Sequence, residues 1–149
     1  MNETDALIEK IKKWKADKDE VAYQAKVVEE NATYLLMEEI NSTIVPEAQD
    51  ILKVFITLKK CGVSFSEPTY IHIYNSIGQY DFFIDIPFGS CRGFIKPTGD
   101  MYFKKVDSNG YLTRETSNPP SSKLLEQFIK DFKGFKKAFY DFVDKTLKN

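Results

Sequence analysis

Residues 70–106 read YIHIYNSIGQYDFFIDIPFGSCRGFIKPTGDMYFKKV, and their period of two decides the fold. Ile71 and Ile73 share one face of Tyr70–Tyr74, and Tyr80, Phe82, Ile84 and Ile86 share one face of Gln79–Ile86. Cys91, Gly93 and Ile95 do the same in Cys91–Lys96, as do Met101 and Phe103 in Met101–Val106. Successive side chains of a strand point to opposite faces, so the pattern predicts an antiparallel sheet with one buried face. Turn residues separate the segments: Asn75-Ser76-Ile77-Gly78, Pro87-Phe88-Gly89-Ser90 and Pro97-Thr98-Gly99-Asp100. A further turn, Asp107-Ser108-Asn109-Gly110, brings in a short fifth strand at Tyr111–Thr113.

Helical periods flank this meander. Upstream, residues 4–42 carry Leu7, Ile11, Trp14, Val21, Ala25, Val28, Ala32 and Leu35 at alternating steps of four and three, with Lys18 in the one polar seam position. That is a heptad seam. Asp17 and Glu20 stand three apart in the manner of a capping box, which allows a break near Lys18. Unbroken, the helix would be about 57 Å long at 1.5 Å per residue. A compact domain of this size is roughly 40 Å across, so the helix either breaks or projects. With alanine at two seam positions, the expectation is packing on the rest of the fold or in an oligomer interface. Pro46 suits the first turn of a second helix; its stripe of Ile51, Leu52, Phe55 and Ile56 ends at Gly62. Residues 114–122 read as a polar linker. The last helix, 122–147, aligns Leu125, Phe128, Phe132, Phe135, Phe139, Phe142 and Val143, and Gly134 in its middle suggests a close backbone approach.

The fold class is therefore α+β: N-terminal helices, an antiparallel meander of four to five strands, and a long C-terminal helix. Residues 1–149 are expected to form a single domain, with a helical region over 1–62, the meander over 69–113 and the C-terminal helix over 119–148. The chain of 149 residues has a net charge of −1, unlike a strongly basic nucleic-acid binder. The charge is uneven, however. Residues 1–60 hold nine Lys and twelve acids, and residues 121–149 hold seven Lys and four acids, so the two ends are set to attract. Cys61 and Cys91 make no disulfide framework. No apolar run approaches the roughly 20 residues of a membrane span, and the first residues lack a signal-peptide layout. A cytoplasmic location is the expectation.

Chemistry-bearing patterns are sparse. His72 is the sole histidine, so a zinc site would need cysteines or carboxylates around it and a catalytic triad would have to use this one residue; it is read as a structural or surface residue. Asp81 and Asp85 share a strand face but would lie about 13 Å apart, and they are read as solvated charges pairing with Arg92 and Lys96. A metal-dependent nuclease of the restriction type would need Glu where Phe94 precedes Ile95-Lys96. Phosphate-binding glycine loops and a nucleophile elbow are absent from the sequence. No cofactor and no metal are expected.

The outer sheet face is richer. It carries Tyr70, His72, Tyr74, Phe83, Arg92, Phe94, Lys96, Tyr102 and Lys104, aromatics interleaved with cations of the kind that stack bases and hold phosphates. Arg92-Gly93-Phe94 resembles part of the strand motif of RNA-recognition domains, although the order of elements does not. A helix packed over this face is the plainer expectation. Three functions follow. The first is a non-enzymatic interaction protein that oligomerises through the seam, with the profile of a small inhibitor or accessory factor of a mobile element. The second is a single-stranded nucleic-acid binder using the sheet face. The third is a small-ligand-binding domain with a pocket between sheet and helices.

Overall fold

A computed structural model describes residues 2–65, 71–75, 82–109, 112–116 and 120–148. Helix α1 (Glu3–Glu39) runs through a π-helical turn (Ile40–Ile44) directly into α2 (Val45–Lys60). Strands β1 (His72–Asn75), β2 (Phe82–Phe88), β3 (Cys91–Ile95), β4 (Met101–Val106) and β5 (Leu112–Thr116) follow, then α3 (Ser122–Lys148). The strands form one antiparallel sheet in the order β1-β2-β3-β4-β5. The expectations for Tyr70, Ser76–Gly78, Gln79, Tyr80, Asp81 and Tyr111 lie outside the described residues.

The expected break near Lys18 does not occur. Asn2 caps the helix, its side-chain Oδ1 accepting from the Asp5 N–H at 2.8 Å, and charge pairs such as Lys15–Asp19 at 2.9 Å support its surface. The four-residue spacing of Lys15 and Asp19 serves an unbroken helix, so Asp17 and Glu20 never become a cap. α2 starts at Val45 with Pro46 in its first turn, as expected, but no break in the helical backbone precedes it. Val45 N–H donates to Ile40 O, five residues back, which carries the backbone past Pro46. Proline has no N–H, and its ring crowds the carbonyl four residues earlier; the widened turn relieves both.

α2 ends as its sequence predicts. Gly62 takes φ +78°; its N–H donates to Lys59 O at 3.0 Å, and the Val63 N–H donates to Leu58 O at 2.9 Å, the Schellman pattern. The β2–β3 hairpin is tighter than expected. Pro87 and Phe88 belong to β2, leaving Gly89, at φ +59°, and Ser90 as the loop. Residues 114–116, read as linker, extend β5 and pair with β4 across a register shift.

The core lies between the inner sheet face and α2 and α3. Ile84, Ile86, Ile95, Leu125, Phe128, Phe132, Phe135 and Phe139 are all inaccessible to solvent, together with Ile51 and Leu52 of α2. Phe88, Phe103 and Phe128 meet edge to face at 5.1–5.4 Å, the arrangement ring quadrupoles favour. Gly93 faces this trio. A Cβ there would stand 2.6 Å from Phe128 Cε2 and 3.2 Å from Phe103 Cε1, so the missing side chain is what lets the phenylalanines reach the sheet. Gly134 has open space around it, and the close approach expected there is at Gly93 instead.

Candidate functional site

Two surfaces hold the residues singled out in the sequence. The first is α1. It has no buried residue, and its seam faces water: Leu7, Ile11, Trp14, Val21, Val28 and Leu35 are all exposed, Ile11 at 62% and Trp14 at 61%. Ala25 is exposed as well. Packing of the seam on this chain's own fold is therefore excluded among the described residues. At 37 residues and 1.5 Å per residue the helix measures about 55 Å, so it projects from the body.

Only its last turns touch the body. Leu36 and Met37 pack against the core edge. Glu29 reaches the start of α3: its Oε1 accepts from the Ser122 N–H at 2.7 Å and its Oε2 from the Ser122 hydroxyl at 2.8 Å. These bonds hold the Glu29 carboxyl below its ordinary range, the backbone bond most strongly. A helix start leaves N–H groups without intrahelical partners, and here a residue 93 positions away supplies the cap. Nothing local in the sequence signals this. Farther along, Lys133 pairs with Glu39 at 3.4 Å and Lys136 with Glu47 at 3.1 Å, so the acidic first third and the basic last helix do meet. Beside the Ser122 contact an open cleft of about 710 Å³ is lined by Glu29, Glu30, Thr33, Tyr34, Met37, Pro120 and Ser121.

The second surface is the outer sheet face. α2 and α3 both lie on the opposite side, so the helix expected over it is not there among the described residues, and Tyr74 is 42% exposed. Register aligns His72, Asp85, Phe94 and Tyr102 across four strands. Ring centroids step from His72 to Tyr74 at 5.4 Å, to Phe83 at 5.9 Å, to Phe94 at 5.9 Å and to Tyr102 at 5.1 Å. Cations sit over two of these rings: Arg92 lies 5.8 Å from the Phe94 centroid, and Lys96 and Lys104 each lie 5.7 Å from Tyr102, within the reach of a cation–π attraction.

Two members of this face depart from expectation. Phe94 is only 6% exposed, since Phe83 and a nearly parallel Tyr102 flank it; it forms the floor of the surface and presents little ring to a ligand. Asp85 is not a solvated charge. It is 2% exposed, and the Arg92 guanidinium grips it from the diagonal position, Nε donating to Oδ1 at 3.0 Å and Nη2 to Oδ2. Burial pushes the Asp85 carboxyl up, while Arg92, and to a lesser degree His72, pull it back.

Chemically this is a stacking and ion-pairing surface. Among the described residues no group of His, Cys, Asp and Glu side chains is placed to hold a metal ion. Among the described residues, Phe128, Phe132, Phe135 and Phe139 are buried in the layer between sheet and helices. No helix among the described residues is long and apolar enough to cross a membrane. No protein-family model, no curated protein and no solved structure matches the chain.

Proposed function

We propose that this chain is a non-enzymatic, cytoplasmic interaction protein that associates with a further copy of itself through α1. One observation carries the reading: a heptad seam more than four repeats long stands exposed, with only Ala32 half-buried, on a helix that the body contacts only at its end. Apolar surface exposed in a contiguous stripe marks an association site, and helices in proteins draw most of their stability from packing such a stripe. Light scattering at micromolar concentration tests it. Association gives at least twice the 17.2 kDa of one chain, and Ile11→Glu combined with Val28→Glu abolishes it while leaving the body folded. A 17.2 kDa species for the parent protein overturns the reading.

The outer sheet face favours a second reading, binding of single-stranded nucleic acid. Support comes from the exposed Tyr74 ring and from Lys96 and Lys104 beside Tyr102. Fluorescence anisotropy with labelled oligonucleotides then shows binding that weakens steeply with salt and falls on Tyr74→Ala and Lys104→Ala. Absence of binding at low salt rejects it.

A further inference from the structure

We infer that two copies of α1 pair in antiparallel orientation, in the register that sets Trp14 of one copy against Ala25 of the other. This rests on the self-association proposed above and adds its geometry. The argument begins with size. Along the seam, large residues cluster toward the free end of α1, at Leu7, Ile11 and Trp14, and the alanines, exposed Ala25 and half-buried Ala32, lie toward the body. In-register parallel pairing would stack Trp14 on Trp14 and Ala25 on Ala25, crowding one layer and hollowing another. Knobs-into-holes packing tolerates neither, since interiors pack densely and gaps forfeit contact.

The antiparallel arrangement sets a large side chain against each alanine. Leu7 meets Ala32 of the second copy, Ile11 meets Val28, Trp14 meets Ala25 and Lys18 meets Val21. With Thr4 against Leu35 at each end, every seam position from 4 to 35 finds a partner. A shift of one heptad leaves seam residues at both ends uncovered.

Charge points the same way. Lys10, Lys12, Lys13, Lys15 and Lys18 oppose Asp17 alone in residues 10–18, a formal +4. Parallel chains would set this stretch against its own copy, with Lys10 flanking Lys15 and Lys18 facing Lys18 in the seam. Like charges so placed are strongly disfavoured. In the antiparallel register the same stretch lies beside residues 21–29, where Lys26 and Glu29 cancel. Lys18 then lies over Val21, keeping its ammonium at the rim, where it already sits 4.9 Å from the Trp14 ring. The two bodies end up at opposite ends of the rod, since each is joined to the C-terminal end of its own α1.

Disulfide trapping in the full chain tests this. Cys61, which is exposed, is changed to Ser, and Cys91 is buried and stays. Leu7→Cys, Ala25→Cys and Ala32→Cys chains carrying distinguishable tags are mixed in pairs, oxidised mildly and run without reductant. The expected result is a dominant heterodisulfide between Leu7→Cys and Ala32→Cys, with little homodisulfide from either. Homodisulfides of Leu7→Cys and of Ala32→Cys overturn the orientation. A dominant product between Leu7→Cys and Ala25→Cys overturns the register. A dimer by light scattering that yields none of these places the contact elsewhere and overturns the pairing while self-association stands. A monomer by light scattering removes the self-association itself.

Discussion

Replacing Arg92 with Met keeps the aliphatic stem and deletes the guanidinium that grips Asp85. The carboxylate is 2% exposed, whereas the Arg92 side chain is 28% exposed, so the two partners feel different solvent. Breaking a fully buried pair costs about 3–5 kcal/mol. Water at the guanidinium weakens the pair, and Asp85 can escape part of the penalty by taking up a proton, so we expect a loss of about 2–4 kcal/mol at pH 7. In a chain of this size each kcal/mol lowers Tm by about 2–4 °C, which calorimetry resolves. Calorimetry is preferable to tryptophan emission because Trp14 sits on the exposed part of α1 and reports little about the body.

The pH dependence has a defined sign. Burial already raises the Asp85 carboxyl, and losing Arg92 removes the main influence opposing it. The folded Arg92→Met protein therefore binds this proton more readily than its unfolded chain does. Stability rises as pH falls through the folded value, so the deficit against the parent narrows on acidification from pH 7 to 5. Asp85→Asn in the Arg92→Met background should recover a large part of the loss, because an amide needs no counter-charge. A deficit below about 0.5 kcal/mol at pH 7, the range of an ordinary surface change, or one that widens toward pH 5, refutes this account of the sheet.

Other perturbations probe the frame. Gly93→Ala gains up to about 1 kcal/mol from a stiffer unfolded chain, yet the 2.6 Å approach to Phe128 costs about 1–3 kcal/mol; urea titration should show net destabilisation, largely relieved by adding Phe128→Leu. Phe132→Ala removes a fully buried ring and should cost about 3–5 kcal/mol in the same titration. Glu29→Ala should speed hydrogen exchange at the first amides of α3, from Ser122 onward. In the parent the Glu29 carboxyl sits below its ordinary range, so its contribution is present from the ordinary carboxylate range upward and is lost as pH falls through the lowered value; Ser122 protection should decline on that side alone.

The sheet was legible because alternation is a local property: Ile71, Ile73, Ile84, Ile86 and Ile95 declare one face whatever else the chain does. The stripe of α3 is equally local. What escaped depends on distant partners. Asp17 and Glu20 fit both a cap and a continuing helix, and only the absence of a turn nearby selects the latter. Pro46 marks the start of α2 but fits a first turn after a loop as well as one entered through a π turn, so the continuity with α1 was not legible. Arg114, Glu115 and Thr116 are too polar to announce a strand, and β4 recruits them through backbone pairing. On the outer face, alternation placed Asp85 and Phe94 correctly but said nothing of Arg92, Phe83 and Tyr102 closing over them. The seam of α1 was readable as a repeat, whereas its exposure followed only from where the body ends.

The π turn at Ile40–Ile44 has a mechanical consequence. A glycine- or serine-rich tether would let whatever sits at the far end of α1 wander independently. Here one unbroken backbone enters the body at two side chains with no solvent contact, Ile40 and Ile44. The projecting segment is thus a lever with its fulcrum inside the protein interior, and any sideways load on the tip arrives as torque on the packing of the π turn against α2 and α3.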